Sequence, residues 1–161
     1  MPGISADEFR AAMGSFATGV TIITTRDTAG KPFGLTATAF SSISREPPLC
    51  MICVSHAAEA HPALVASGRF AVNLLAAGQD ALSNRFATSG LDKFDGVPHR
   101  AGTVTGCALL DGAIASIECT VQATLTAGDH DVLIGHIQSI AVTNEPPLVY
   151  FRGRYCDVLP R

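Results

Sequence analysis

Small hydroxyls gather where a strand should end: Gly34 to Ser44 reads GLTATAFSSIS. Alternation along the strand places Thr36 and Thr38 on one face and Leu35, Ala37 and Ala39 on the other. Ser41, Ser42 and Ser44 follow in a stretch that reads as a turn, and Pro47 and Pro48 then remove two backbone donors and stop pairing. Hydroxyls and free amides at a strand end suit a polyol or a phosphate. An ordinary Thr-rich strand running into a Ser-rich loop has the same composition.

Three other stretches carry reactive side chains. Near the carboxyl end, YFRGRY sets Arg152 and Arg154 around Gly153, with Tyr150 and Tyr155 outside them. Two guanidinium groups can clamp a pyrophosphate and a tyrosine can stack on a planar ring; an exposed basic turn is the plainer alternative. Asp129, His130 and Asp131 form a DHD triplet flanked by Gly128 and Gly135. On its residues alone that triplet reads as a solvated hairpin tip. In CVSHAAEAHPAL, Cys53 to Leu64, an apolar strand opens into a polar turn and then a helix whose amino end could face an anion.

Other chemistries fail on spacing. Gly14 and Gly19 stand as far apart as the glycines of a phosphate loop, but Val20 takes the place of the lysine that must reach the phosphates. No GxGxxG follows a strand and no GxSxG nucleophile elbow is present. His56 and His61 are five apart, off the i, i+4 spacing of helical metal pairs, with no obvious third ligand. Cys50 and Cys53 form a CxxC inside the apolar run LCMICV, where positions three apart on a strand face opposite ways and cannot share a metal. The odd total of five cysteines points to reduced, structural thiols.

Composition narrows the class. A length of 161 residues predicts a single domain over positions 1–161 with one core. Hydrophobic residues reach 47% against only 16% charged, a balance that predicts apolar surface buried against another subunit. No apolar run approaches the roughly 20 residues that span a bilayer, and the start MPGISADEF lacks a secretory pattern, so no membrane partner and a cytoplasmic location are expected. A net charge of −3, with two lysines and scattered arginines, argues against a nucleic-acid partner.

The elements that must position these residues are mostly strands. β-rich apolar runs recur at 20–25, 33–40, 49–54, 70–75, 113–125, 132–142 and 148–151, and helical spacing appears at 6–13, 59–66 and 79–86. Strand and helix do not alternate regularly, which disfavours a doubly wound nucleotide fold and favours a β-barrel with short peripheral helices. Residues 89–112, with five glycines and no sustained periodicity, read as one long connection.

Read in order, FRAAMGSFATGVTIITT, GLTATAFSSIS, FAVNLLAAGQDALSNRFA, the KF of Lys93 and Phe94, GDHDVLIGHI and PLVYFRGRY resemble the flavin reductase-like family, the reductase components of two-component monooxygenases. These segments span nearly the whole chain. The resemblance implies a mainly β, split-barrel FMN-binding fold with a few short peripheral helices, dimerising as a homodimer. It places Thr36, Ala37, Thr38, Ser41 and Ser42 on the flavin, Ser55, His56 and Ala57 against it, and Arg85 and Lys93 near its phosphate. The same resemblance makes His130, in the GDHxxxxGxV pattern with Ile137 for the final valine, the residue that faces the nicotinamide step. Arg152, Gly153, Arg154 and Tyr155 remain the candidate pyrophosphate and ring contacts.

The implied activity is an NAD(P)H:flavin oxidoreductase that reduces FMN or FAD with NADH or NADPH and releases the product to a partner oxygenase. The cofactors would carry the hydride chemistry and the protein the alignment. The rivals are a non-catalytic flavin- or haem-binding split barrel and a flavin-dependent oxidase of a small substrate. His130 and the turn at 152–155 discriminate, since a mere binder needs neither.

Overall fold

The computed structural model describes residues 3–159. In chain order the elements are α1 (Ala6–Gly14), β1 (Thr18–Gly19), β2 (Thr21–Arg26), β3 (Pro32–Ala37), β4 (Phe40–Arg45), β5 (Pro48–Ser55), α2 (His61–Ser67), β6 (Arg69–Leu74), α3 (Asp80–Ala87), β7 (His99–Ala101), β8 (Ala108–Leu110), β9 (Ala115–Ala127), β10 (His130–Val142), β11 (Val149–Phe151) and β12 (Arg154–Cys156). Seven strands form one antiparallel sheet in the order β3-β2-β6-β9-β10-β5-β4. Its two outer strands, β3 and β4, are consecutive in sequence, so the sheet must curl until its edges meet. The joint is held at Thr38 and Ala39, where Phe40 N–H donates to Thr38 C=O at 3.0 Å and Cys53 N–H to Ala39 C=O at 3.1 Å. This is the split barrel that the sequence leads one to expect.

The strand expected over 33–40 is therefore two strands broken at the joint. Ser41, Ser42 and Ser44, read from composition as a turn, lie on β4, paired with β5 from Phe40↔Ile52 to Arg45↔Pro48. The expected connection at 89–112 also contains the β7–β8 hairpin, held by His99↔Leu110 and Ala101↔Ala108. Both errors arise because pairing can recruit hydroxyl-rich or glycine-rich segments that lack intrinsic strand preference.

β2 shows why strict apolar alternation is weak here. Ile23 packs inside the barrel with Ile52, Val54, Phe70, Val72 and Leu133. Ile22 packs on the opposite face with Val20, Leu75, Phe86 and Leu148. The strand is covered on both sides, and its buried threonines are satisfied by backbone carbonyls: Thr21 Oγ1 donates to Ala37 at 2.7 Å and Thr24 Oγ1 to Ala108 at 2.6 Å. Paired buried hydroxyls cost little, whereas unpaired ones would cost about 1–3 kcal/mol.

The long β9–β10 hairpin bends at two irregularities, between Ile134 and Gly135 and between Ile137 and Ser139. Gly135 is buried where any Cβ would collide with the Phe70 ring. That opening also lets the thiols of Cys50 and Cys119, from the two strands flanking β10, meet at 3.6 Å. Cys50 is buried and Cys53 half-buried, pointing oppositely along β5 as the period of two requires.

Two helices, α2 and α3, pack against this barrel. α2 sends Ala63 and Leu64 inward and ends at Gly68, whose φ of +62° suits the left-handed cap. α1 starts from a reciprocal capping box between Ser5 and Glu8 but buries none of its residues. Phe9 and Met13 on it, and Phe16 just after it, stay exposed.

Candidate functional site

The hydroxyl-rich joint opens onto a groove. A cavity of about 1210 Å³ runs between α1 and the β11–β12 hairpin, and Thr38, Tyr150, Arg152 and Gly153 line it. A second depression shares Phe16, Thr18 and Thr38 with it and continues to Phe40. The first volume exceeds the roughly 300–1,000 Å³ of sites closed around one ligand, so a dinucleotide or two ligands side by side would fit.

The hairpin that closes the groove is set by its turn. Arg152 and Gly153 have φ of +47° and +77°, the two positive values of a tight two-residue hairpin connection, and Phe151 pairs with Arg154 across it. Arg152 N–H donates to Gly14 C=O at 2.8 Å, which ties α1 to the turn. The Arg152 side chain lies 5.1 Å from the Phe151 ring centre, and its Nε makes one long bond, 3.3 Å to Ser15 Oγ. Arg152 and Arg154 are both exposed. Arg152, exposed in the same groove as the Thr38 hydroxyl, gives a donor pair that fits a phosphorylated polyol such as a flavin nucleotide, whereas Arg154 and the exposed Ser41 and Ser42 of β4 are not among the residues lining it.

Not every residue expected at the flavin keeps its polar group free. Thr36 Oγ1 donates to Ser83 C=O at 2.6 Å, joining β3 to α3. Tyr155 OH reaches the same helix at Ser83 Oγ, 2.9 Å, and Asn84 Oδ1, 2.8 Å. Arg85 donates to three carbonyls of one loop, Asp92 and Lys93 at 2.9 Å and Asp95 at 2.7 Å. Lys93 Nζ donates to Phe86 C=O at 2.9 Å and Gly34 C=O at 3.3 Å, and burial pushes its pKa down against the pull of Glu59. Ala37 is buried, and its carbonyl takes the Thr21 hydroxyl.

A second group of expected residues does come together, at the carboxyl end of β5, two residues past the Cys53 bond to the joint. His130, the first residue of β10 and not the turn itself, pairs with Ser55. The two-residue turn before it is Gly128–Asp129, with Gly128 at φ +65°. His56 N–H donates to Asp129 C=O at 3.0 Å, which stitches the loop of His56 and Ala57 to that turn. His130 Nδ1 lies 2.8 Å from Asp129 Oδ1, and this bond first of all holds the Asp129 carboxyl below its ordinary range. A carboxylate only accepts, so Nδ1 carries the hydrogen and Nε2 of a neutral His130 is left as an acceptor.

The same juncture supplies what the spacing of His56 and His61 did not. Asp131, 7% exposed, accepts from His61 Nε2 at 2.8 Å, from His56 Nε2 at 3.0 Å and from Thr126 Oγ1 at 2.8 Å. Those bonds, the one from His61 foremost, lower its pKa to about 2. The sequence offered no obvious third ligand for the two histidines, and the structure brings Asp131 to both. The partner lies some seventy positions away, and only the β5–β10 register brings it near.

Known proteins share this architecture. Residues 13–159 match the flavin reductase like domain. A "probable flavin reductase" of Rhizobium meliloti is 40% identical over 146 residues, covering 91% of this chain but only 47% of that protein, so the chain spans about half of its length. The reductase subunit HsaB of a flavin-dependent monooxygenase from Rhodococcus jostii is 37% identical over 158 residues, 98% of this chain and 80% of that one. Among solved structures, the NADH:FAD oxidoreductase of Streptomyces globisporus, in complex with NAD and FAD fragments, superposes with a TM-score of 0.91 at 32% identity, covering 99% of this chain and 98% of that chain. With its barrel joint, groove and strand register in place, the chain belongs to the flavin reductase-like domain family.

Proposed function

We propose that this protein is an NAD(P)H-dependent flavin reductase, reducing FMN or FAD with NADH or NADPH and passing the reduced flavin to a partner oxygenase. The observation that carries the reading is the barrel joint opening, at Thr38, into a groove bordered by Arg152 in a member of this family. When bound, the flavin accepts a hydride and the nicotinamide supplies it. The protein binds and aligns. Thr38, Ser41 and Ser42 offer hydroxyls to the sugar-like chain, and Arg152 and Arg154 offer charge to phosphate. Ser55, His56 and Ala57 stand at the carboxyl end of β5, where His130 presents Nε2 as an acceptor or, once protonated, a donor to the nicotinamide pair.

The working unit of this reading is a homodimer, because Phe9 and Met13 of α1 and Phe16 just after it line the groove yet stay exposed, and a partner would cover them. Light scattering at micromolar concentration should return about twice 16.7 kDa; a monomer that turns over would remove this part. Among the described residues no helix is long and apolar enough to cross a membrane, and a cytoplasmic site of action is part of the proposal. The deciding experiment is steady-state oxidation of NADH and of NADPH with FMN, FAD or riboflavin added. Turnover that depends on added flavin is expected. Folded protein that oxidises neither nucleotide would leave a binding module only.

A further inference from the structure

His56, His61 and Asp131 form a group of three donors, of which the reductase reading uses only His56. The three contributing atoms, His56 Nε2, His61 Nε2 and an Asp131 carboxylate oxygen, all lie within 4.8 Å of one another. They come from three separate parts of the fold: the loop after β5, the first residue of α2 and the second residue of β10. We propose that these residues bind a zinc-like divalent transition-metal cation, a site separate from the groove under α1.

The geometry is close to what such an ion needs. Zinc bonds to imidazole nitrogen at about 2.0–2.1 Å and to carboxylate oxygen at about 2.0–2.2 Å in tetrahedral sites, which sets neighbouring ligands about 3.3 Å apart. The two imidazole nitrogens stand 3.0 and 2.8 Å from the carboxylate oxygens. An ion has to spread those two contacts by only a few tenths of an ångström, and to draw the most widely spaced donors, within 4.8 Å of one another, in toward the same separation. Each histidine then carries its ring hydrogen on Nδ1, giving up the Nε2–H bond to Asp131 for a bond to the metal.

Chemistry and surroundings select the ion class. Two imidazoles and one carboxylate suit zinc and its neighbours in the first row better than magnesium or calcium, which prefer oxygen alone. The Asp131 and His61 side chains are 10% and 17% exposed, whereas His56 is 41% exposed. The fourth position therefore faces solvent on the His56 side, where water or a small ligand can enter. Thr126 Oγ1, donating to Asp131 Oδ1 at 2.8 Å, holds the carboxylate in place as an outer-shell partner does. An ion there would pin the strand ends that carry Ser55 and His130 to the start of α2.

The test uses untagged, flavin-free protein stripped with chelator, titrated with Zn2+ by calorimetry and with Co2+ by visible absorption. Wild type should take up about one ion per chain with the visible bands of tetrahedral cobalt. Asp131→Asn and His61→Ala should each lose at least about tenfold in affinity, since disturbing even outer-shell partners costs about 10- to 100-fold. If either variant is not folded by circular dichroism, His56→Ala decides, because its exposed side chain can be removed without opening the core. No uptake by wild type, or unchanged affinity in the folded variants, would overturn the site. A thiolate-to-cobalt charge-transfer band would do the same by moving the ion to one of the five cysteines.

Discussion

Two pairs of cations border the same outer apolar cluster of this barrel and behave differently. Arg85 and Lys93 meet around α3, where their donors are committed to backbone carbonyls of Asp92, Lys93, Asp95, Phe86 and Gly34. Arg152 and Arg154 flank a turn glycine on the β11–β12 hairpin, both exposed, and among the described residues Arg152 makes only one long side-chain bond. All four carry the charge that a phosphate needs. What separates them is whether the protein has already used their hydrogens. A guanidinium that replaces the caps of a loop is part of the scaffold, and one left to water can exchange water for a ligand at small cost.

The widest consequence is expected at Arg85. Arg85→Ala leaves three loop carbonyls to find water and removes charge-assisted bonds, each class worth about 1.5–3 kcal/mol. Urea unfolding should show a loss near the upper end of that range, with flavin affinity of the remaining folded protein almost unchanged. Arg152→Ala should do the reverse: stability within about 0.5 kcal/mol of wild type and weaker binding of FMN or FAD. Equal stability losses in the two variants would erase the distinction between the pairs.

A smaller effect, read in rate, is expected at His130, which belongs with the uncommitted groups because among the described residues its side chain bonds only the exposed Asp129. His130→Ala should slow flavin reduction by roughly 10- to 100-fold, equivalent to about 1.4–2.7 kcal/mol of transition-state stabilisation. Flavin titration should barely move. Stopped-flow reduction at wild-type rate across all nicotinamide concentrations would return His130 to an ordinary strand-end residue.

The fold was more legible in the sequence than the state of its side chains. Strand majority, short helices and the opposite faces of Cys50 and Cys53 follow from periods of two and 3.6, which are local. Arg85 and Lys93 carry the same charge whether bound to a phosphate or to Phe86 C=O, so no residue type could reveal their commitment. Asp131 illustrates the other limit. The DHD triplet and the His56–His61 stretch were both visible, but their meeting depends on the pairing of Ser55 with His130, a register that composition does not encode. Ser41 and Ser42 were misplaced on a turn for the same reason, because a β5 partner made them a strand.

The finest test of the comparison lies within one tripeptide. Thr36 and Thr38 are two apart and share a side-chain type, so propensity and size are nearly matched between them. Thr36 Oγ1 is committed to Ser83 C=O at 2.6 Å, whereas Thr38 is exposed at the junction of both depressions. Replacement by valine keeps the branched shape and deletes the hydroxyl in each case. Thr36→Val should cost about 1 kcal/mol of stability, because the carbonyl of buried Ser83 loses its donor while flavin meets the same surface. Thr38→Val should leave the unfolding midpoint in place and weaken flavin binding by about 1 kcal/mol, a fivefold change in Kd. Denaturation and fluorescence titration on both proteins read the two quantities separately. If Thr38→Val binds flavin as wild type does while Thr36→Val binds it worse, the roles are exchanged, and the ligand reaches α3 in place of the groove beneath α1.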